Sequence, residues 1–345
     1  MDEKEKTMSA AKALNEQHVL PTGQLPSFPE GGLKAWSTVL GAFLFQFTAF
    51  GFVNSFGVFN DFYVREYLSN ETSSDIGWIG SAQLAIVLAM GIMTGRLFDQ
   101  GFFHHLVIAG SVLFVFSVFM LSITHEHQYY QVFLSHGLGV GLATGLGFLP
   151  SLGIASHYFQ TKRPLVMAII SAGAPLGAVI HPIMLNKLIH GSLGFHNAVR
   201  ANAGMDAGLL IISNLLVRTR LPPRSNSGLI PVREFFKDLP YVAALAGGFL
   251  VLTSLFYPIF FIQLDGITHG LDPNFAFYSV SILQATNFWG RVGGLIGLPI
   301  DGALLTSQFL WWRPAIFSGS ILVAASICFL TSRMGVAKAK GTGKV

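Results

Sequence analysis

The chain of 345 residues is 52% hydrophobic and only 11% charged, and its net charge is +4. Soluble domains are roughly 25% charged, so this composition excludes a water-soluble fold and predicts that lipid covers much of the surface. A bilayer core about 30 Å thick is crossed by ~20 helical residues. Because apolar stretches of that length recur along the chain, we predict an all-α polytopic membrane protein.

The N-terminal region is polar. Residues 1–32 contain no apolar core of the kind that a cleaved signal peptide carries. We predict that residues 1–32 form a disordered cytoplasmic tail and that the first membrane helix directs insertion.

Apolar segments follow in two groups. The first six predict membrane spans at 35–59, 76–97, 104–124, 131–156, 165–189 and 198–217. A basic connector at 218–240 separates them from segments at 241–263, 274–305 and 314–332, and a basic tail occupies 334–345. This order predicts an N-terminal half over 33–217 and a C-terminal half over 241–333.

The segment at 274–305 conflicts with a simple topology. As one helix it would be ~46 Å long, which is too long for one upright span and too short for two. Pro299 and the glycines Gly290, Gly293, Gly294 and Gly297 predict a break into two shorter helices. The segments as counted also give an odd number of crossings, whereas two cytoplasmic termini require an even number.

Lysine and arginine are concentrated in alternate loops, which predicts the orientation. The face predicted to be cytoplasmic holds most of the cations, namely Lys4, Lys6, Lys12, Lys34, Arg96, Lys162, Arg163, Arg218, Arg220, Arg224, Arg233, Lys237, Arg333, Lys338, Lys340 and Lys344. The other face keeps Arg65, Lys187, Arg200 and Arg313. Both termini are therefore predicted to be cytoplasmic, with the plasma membrane favoured over an internal membrane.

The outer sequon at Asn70 is a candidate glycosylation site.

Polar groups inside apolar segments are candidate functional residues because hydrocarbon solvates them poorly. Arg291 comes first, since its forked guanidinium suits a carboxylate; the alternative is that it snorkels or ties helices together. Asn287 lies one turn before Arg291, and Gln284 and Asn54 are uncharged polar groups for which interhelical hydrogen bonding is the alternative. With His181, these residues form the predicted substrate-binding set.

His181 and Asp206 are the candidates for carrying a proton. Histidine titrates near neutrality when unperturbed, and a lone buried carboxylate is protonated unless it is paired. The alternative for His181 is a satisfied core histidine beside a helix kink. Arg200 is a candidate partner for Asp206.

Other kinds of chemistry lack their sequence signals. The histidines are scattered, no Cys/His cluster has metal spacing, and no phosphate-cradling loop is present. We predict no enzyme activity, no cofactor, no metal and no nucleic-acid partner. The lone Cys328 is predicted to be a core residue. Glycines four residues apart predict close helix packing, namely Gly137, Gly141, Gly145, Gly173 and Gly177.

Three short motifs support a family resemblance. Gly95-Arg96-Leu97-Phe98-Asp99 follows the second span, Glu30-Gly31-Gly32 precedes the first, and Lys162-Arg163 opens the fifth. Together they resemble the loop signature of the major facilitator superfamily and two signatures of its monocarboxylate porter family, in the fungal-type branch. The resemblance runs over about residues 29–298.

The resemblance implies two six-helix halves around a midplane site. It implies a carrier that moves a small organic solute, favoured as a monocarboxylate-like anion, by alternating access. It also implies gating roles for Gly95, Arg96, Asp99, Lys162 and Arg163.

Three departures from the family pattern keep alternatives open. Family members that carry lactate with a proton have a lysine at the position of Asn54 and an aspartate at that of Asn287, so a neutral vitamin-like solute is the alternative cargo and proton coupling is open. After Gly294 the chain resembles the end of the eleventh span and the start of the twelfth, so about two and a half to three spans are predicted to be absent. This predicts a complete N-terminal half and an incomplete C-terminal half. A truncated, non-transporting membrane protein is therefore the alternative function.

Overall fold

The computed structural model describes residues 28–223, 236–237, 242, 245, 259–264, 266–267 and 270–305. Predictions for the other residues lie outside this range. They concern residues 1–27, most of the 218–240 linker and of the 241–263 span, the 314–332 span, the C-terminal tail and Cys328.

The described residues form seven long helices and no strands. Five of the helices are long and apolar enough to cross a membrane, namely α1 (Leu33–Tyr67), α2 (Ser73–Asp99), α3 (Phe103–Leu121), α4 (Tyr129–His157) and α5 (Arg163–Ile189). Helix α6 covers Gly194–Leu216 and α7 covers Pro273–Leu305, with a helical segment at 259–264 before α7. The all-helical fold and the six helices predicted before the linker are confirmed.

Helix α1 extends well beyond the span predicted at 35–59. It continues through Asn60 and Asp61, which are buried, to a π-helical turn at Tyr63–Tyr67. Arg65 bonds to Asp61 one turn earlier, so the polar end of the helix satisfies its own charges. The prediction stopped too early because these polar residues resemble a loop.

Helix α2 also begins before the predicted residue 76. Thr72 accepts a hydrogen bond from the Asp75 backbone N–H at 3.2 Å, and Asp75 accepts one from the Thr72 backbone N–H at 3.3 Å. This reciprocal capping box satisfies two backbone donors at the start of the helix. The acidic, polar loop between α1 and α2 is therefore shorter than predicted.

Helix α7 corrects the prediction of two shorter helices at 274–305. The structure has one continuous helix over Pro273–Leu305, through Pro299 and all four glycines. A proline removes one backbone donor, but the remaining backbone groups have no water to bond with in an apolar environment and keep their helical partners.

Glycines set the closest helix contacts, as predicted. A Cβ atom on Gly177 of α5 would lie 2.0 Å from the backbone oxygen of Phe47 in α1, and one on Gly173 would lie 2.4 Å from that of Phe43. Gly141 and Gly145 of α4 pack against α2 in the same way. Only glycine permits this backbone approach, so the stripes have a packing role.

The helices connect alternately at two faces of the bundle. We call residues 28–32 the strap. The strap and the turns at 100–102 and 158–162 lie at one face, the strap face. The turns at 68–72, 122–128 and 190–193 lie at the opposite face, the far face. Residues 28–32 were predicted to belong to a disordered tail. Glu30 instead binds the turn before α5, because three backbone N–H groups there have no helical partner.

Candidate functional site

Three predicted residues form a ladder along α7. The Asn287 side chain donates to Gln284 Oε1 at 3.2 Å, and Arg291 Nε lies 3.5 Å from Asn287 Oδ1. Their spacing of three and four residues places them on one helix face. The structure therefore brings Gln284, Asn287 and Arg291 together.

The ladder has unused donors. Arg291 is half-buried and donates from Nη1 to the Ser171 backbone oxygen of α5 at 3.1 Å. Within the described residues it contacts no carboxylate. Gln284 is fully buried, and its Nε2 has no hydrogen-bond partner in that part of the chain. A guanidinium and an amide thus present unsatisfied N–H groups near the α5–α7 contact.

Asn54 lies apart from the ladder. It is buried in α1, just before the turn at Ser55, and its side chain donates to the Phe50 backbone oxygen at 2.8 Å. No hydrogen bond among the described residues joins it to α7. The structure therefore gives Asn54 a local bond within its own helix.

His181 and Asp206 form a fully buried pair between α5 and α6. His181 Nε2 lies 2.9 Å from Asp206 Oδ1, and neither side chain is exposed. His181 Nδ1 lies 2.8 Å from the Gly177 backbone oxygen. Asn202 donates to the other oxygen of Asp206 at 2.6 Å. The two proton-carrying candidates are thus direct partners.

Arg200 is not the partner of Asp206. Its guanidinium donates to Asn197 at 3.1 Å, at the far-face end of α6. Residues six apart on a helix lie on different faces, whereas Asn202 lies one turn from Asp206 and faces it. The expected partner is therefore replaced by His181 from the neighbouring helix.

The geometry of the pair constrains its protons. A backbone oxygen only accepts, so Nδ1 of His181 carries a hydrogen. The contact between Nε2 and Asp206 Oδ1 then requires one further proton, on the nitrogen or on the oxygen. In either arrangement the pair is neutral overall and holds a proton in the interior of the bundle.

The residues predicted to form a gating loop lie at the strap face, but Gly95, Arg96 and Asp99 belong to the last turns of α2 and not to a loop after it. Lys162 and Arg163 lie at the start of α5. Asp99 and Arg163 line one cavity of ≈ 470 Å³ together with Phe98, His157 and Phe159. Arg96 lies outside this cavity, and none of Arg96, Asp99, Lys162 and Arg163 makes an ion pair within the described residues. Gly95 has no atom near its missing Cβ, so open space surrounds it.

Glu30 fixes the strap to the start of α5. Its carboxylate accepts from the backbone N–H groups of Thr161 and Gln160 at 2.7 Å and of Lys162 at 3.1 Å. These hydrogen bonds, led by that from Thr161, hold the pKa of Glu30 below its usual value.

Asn70 is exposed at the far face, in the turn between α1 and α2. Its side-chain amide donates to Glu71 at 3.2 Å, and its oxygen lies 3.1 Å from His127 Nδ1. The sequon is therefore on the surface, on the face opposite the strap.

Sequence reasoning missed two buried polar clusters. Asp61 of α1 bonds to Arg65 and to Gln263 of the 259–264 segment. His136 of α4 bonds through Nδ1 to the Tyr63 hydroxyl at 3.0 Å. The spacing of Asp61 and Arg65 is a helical ion-pair signal that the early end of the predicted span concealed. No sequence signal pairs His136 with Tyr63.

The comparisons with known proteins agree with this fold. The family profile of the Major Facilitator Superfamily matches residues 38–341. The "Aspyridones efflux protein apdF" of Emericella nidulans is 40% identical over 265 residues, covering 77% of this chain and 53% of that protein. The "MFS-type transporter 1" of Ophiocordyceps sp. is 34% identical over 313 residues, covering 87% and 69%.

The coverage of relatives varies. The chain spans about half the length of apdF but 89% of the "MFS-type transporter pytF" of Aspergillus terreus, to which it is 36% identical over 266 residues, 76% of this chain. Among solved structures, a peptide transporter POT in complex with sulfate has a TM-score of 0.47 and 20% identity, covering 81% of this chain and 55% of that one.

Proposed function

The chain belongs to the Major Facilitator Superfamily, and on that premise we propose that it is a secondary transporter that moves a small organic solute across a membrane by alternating access. We place the strap face in the cytoplasm, because the loops there carry most of the cations. The proposed membrane is the plasma membrane. The proposed cargo is an organic anion of the monocarboxylate type.

Arg291 is the observation that carries the proposal. Its guanidinium is half-buried in an apolar helix and has no carboxylate partner within the described residues. An unpaired cation at depth is costly unless an anion or water meets it, and a guanidinium binds a carboxylate through two parallel hydrogen bonds. The unused amide donor of Gln284 on the same ladder supplies a further hydrogen bond.

The relatives bear on the direction and on the alternatives. The relative apdF is named an efflux protein, so export is the direction we propose for this chain. A neutral vitamin-like solute is the alternative cargo, because the two positions at Asn54 and Asn287 are uncharged. A truncated, non-transporting membrane protein is the alternative function, because the sequence after Gly294 resembles the end of the family's eleventh span and the start of its twelfth.

The test is transport of a panel of radiolabelled carboxylates and neutral solutes in right-side-out and inverted vesicles. Arg291→Ala should abolish carboxylate transport, and Arg291→Lys should restore part of it, because the charge returns without the fork. Arg200→Gln is the matched control, an arginine at the far face whose loss should leave transport unchanged. Equal transport by Arg291→Ala and the parent would reject the anchor role, and no transport of any solute would favour the non-transporting alternative.

We further propose that the His181–Asp206 pair couples transport to a proton. The supporting observation is the 2.9 Å contact, which holds a proton between two fully buried groups on different helices. A proton shared by two helices is released or taken up when those helices move apart, which links its binding to conformation.

Separate measurements of uphill transport and exchange test the coupling. Asp206→Asn removes the acidic group but keeps its shape, so proton-driven accumulation should fall at least 10-fold while solute exchange across the membrane persists. Loss of both activities to the same extent would assign the pair a structural role. Unchanged accumulation would reject proton coupling at this site.

A further inference from the structure

The far-face end of α1 is joined to the 259–264 segment through one buried carboxylate. Asp61 is 1% exposed, and Gln263 Nε2 donates to its Oδ2 at 3.0 Å. Arg65 holds the same carboxylate from the other side, donating from Nε to Oδ1 at 2.7 Å and from Nη2 to Oδ2. One side chain therefore connects a helix of the N-terminal half to a segment beyond the linker.

The backbones meet closely beneath this carboxylate. A Cβ atom on Gly57 would lie 2.7 Å from the Ile259 backbone oxygen. The Phe56 and Phe260 rings pack with centroids 5.1 Å apart. The Asn60 side chain lies 3.4 Å from the Phe260 backbone oxygen. We call the contact of residues 56–61 with 259–263 the latch.

The hydrogen-bonding groups of the latch are only partly paired. Asn60 Oδ1 and Gln263 Oε1 are buried and have no hydrogen-bond partner within the described residues. A buried acceptor without a donor costs free energy, which water would restore if the two segments separated. The Asp61 carboxylate and the ring packing therefore hold the contact against a hydrogen-bonding penalty that favours opening.

We propose that Asp61 is the gate residue of the far face, and that transport requires its bond to Gln263 to break. The inference rests on the proposed alternating access and adds the group that closes one side. The Arg65 guanidinium, with its side chain 37% exposed, links the buried carboxylate to the surface. The π-helical turn that contains Arg65 lies directly beyond Asp61, a feature common at functional sites.

Thiol accessibility measures the gate without any solute. In a Cys328→Ser background, Phe260→Cys places a single thiol in the latch, and the protein in lipid nanodiscs is exposed to a charged thiol reagent at both faces. Asp61→Asn keeps the shape and removes the charge, so the labelling rate should rise about 10-fold or more, the effect of losing a hydrogen bond to a charged group. Gln263→Leu should raise it similarly.

A variant that should lower the labelling rate separates gating from misfolding, since a misfolded protein would be labelled faster. Gln263→Lys sets an ammonium beside Asp61, so labelling should fall below the parent rate. Glu66→Gln is the control, because Glu66 is exposed on the same turn of α1 and takes no part in the latch. Unchanged labelling in Asp61→Asn, or faster labelling in Gln263→Lys, would overturn the gate.

The thiol-labelling experiment and the transport assay can fail independently of each other. If labelling follows this pattern but no carboxylate is transported, the proposed cargo is wrong and the gate role of Asp61 still holds. Carboxylate transport that depends on Arg291, together with labelling that ignores Asp61, would reject the gate alone.

Discussion

Two buried histidines of this protein stand in opposite surroundings although both contact the same phenylalanine. The Phe52 ring centroid lies 5.4 Å from that of His136 and 6.1 Å from that of His181. His181 meets a carboxylate and a backbone oxygen through its two ring nitrogens. Within the described residues, the hydrogen bonding of His136 is limited to the Tyr63 hydroxyl, and its Nε2 has no hydrogen-bond partner there.

Burial alone therefore does not give a histidine a charged partner. Phe52, Phe56 and Phe59 surround His136 with aromatic rings, and no carboxylate contacts it in the part of the chain that the structure describes. A positive charge there would lack an anion to stabilise it, so the neutral ring is favoured. Asp206 supplies that anion for His181. Of the two sites, the one at His181 pairs the ring with a carboxylate, which is the arrangement that our proposal of proton coupling requires.

The largest effect is expected when the His181–Asp206 pair is broken. Asp206→Leu leaves His181 and Asn202 without their acceptor, so unfolding in detergent should become easier by about 3–5 kcal/mol. Thermal unfolding of the purified protein measures it. Glu66→Gln is the control, since Glu66 lies 3.9 Å from His190 on the surface and its loss should cost less than about 1 kcal/mol. Equal effects of the two variants would contradict the comparison.

A smaller effect is expected at the aromatic site. His136→Phe leaves the Tyr63 hydroxyl without its partner, so stability should fall by about 1–3 kcal/mol. The pH dependence of transport should stay that of the parent, because the ring carries no coupled proton. A pH profile recorded for His136→Phe and for His181→Gln separates the two histidines. A shift in the former profile and none in the latter would reverse their assignment.

The smallest effect is expected at the exposed carboxylate of the strap. The folded-state pKa of Glu30 lies below its usual value of 4.5, so the strap contact is complete above pH 4.5 and is lost as the pH falls through the lowered pKa. Glu30→Gln should therefore speed amide exchange at residues 160–162 at neutral pH with little change elsewhere. Exchange equal to the parent at those amides would show that other contacts hold the strap.

The sequence predicted some features of the helices correctly and others wrongly. The runs of apolar residues predicted the helices α1 to α6 to within a few residues at most ends, and the glycine spacing predicted close helix packing but not which helices meet. The end of α1 was missed because Asn60 and Asp61 are polar, although the structure buries both. The break predicted in α7 does not occur, because membrane helices tolerate proline and glycine.

The amino-acid sequence was enough to predict that lipid surrounds the helices and which residues share a helix face. Hydropathy acts on each segment alone, and positions three or four apart share a face whatever surrounds them, so the common face of Asn287 and Arg291 was predicted. Tertiary structure alone decided which helices meet. His181 with Asp206, Tyr63 with His136 and Asp61 with Gln263 are pairs formed between different segments, because helix packing sets such contacts and no single segment encodes them.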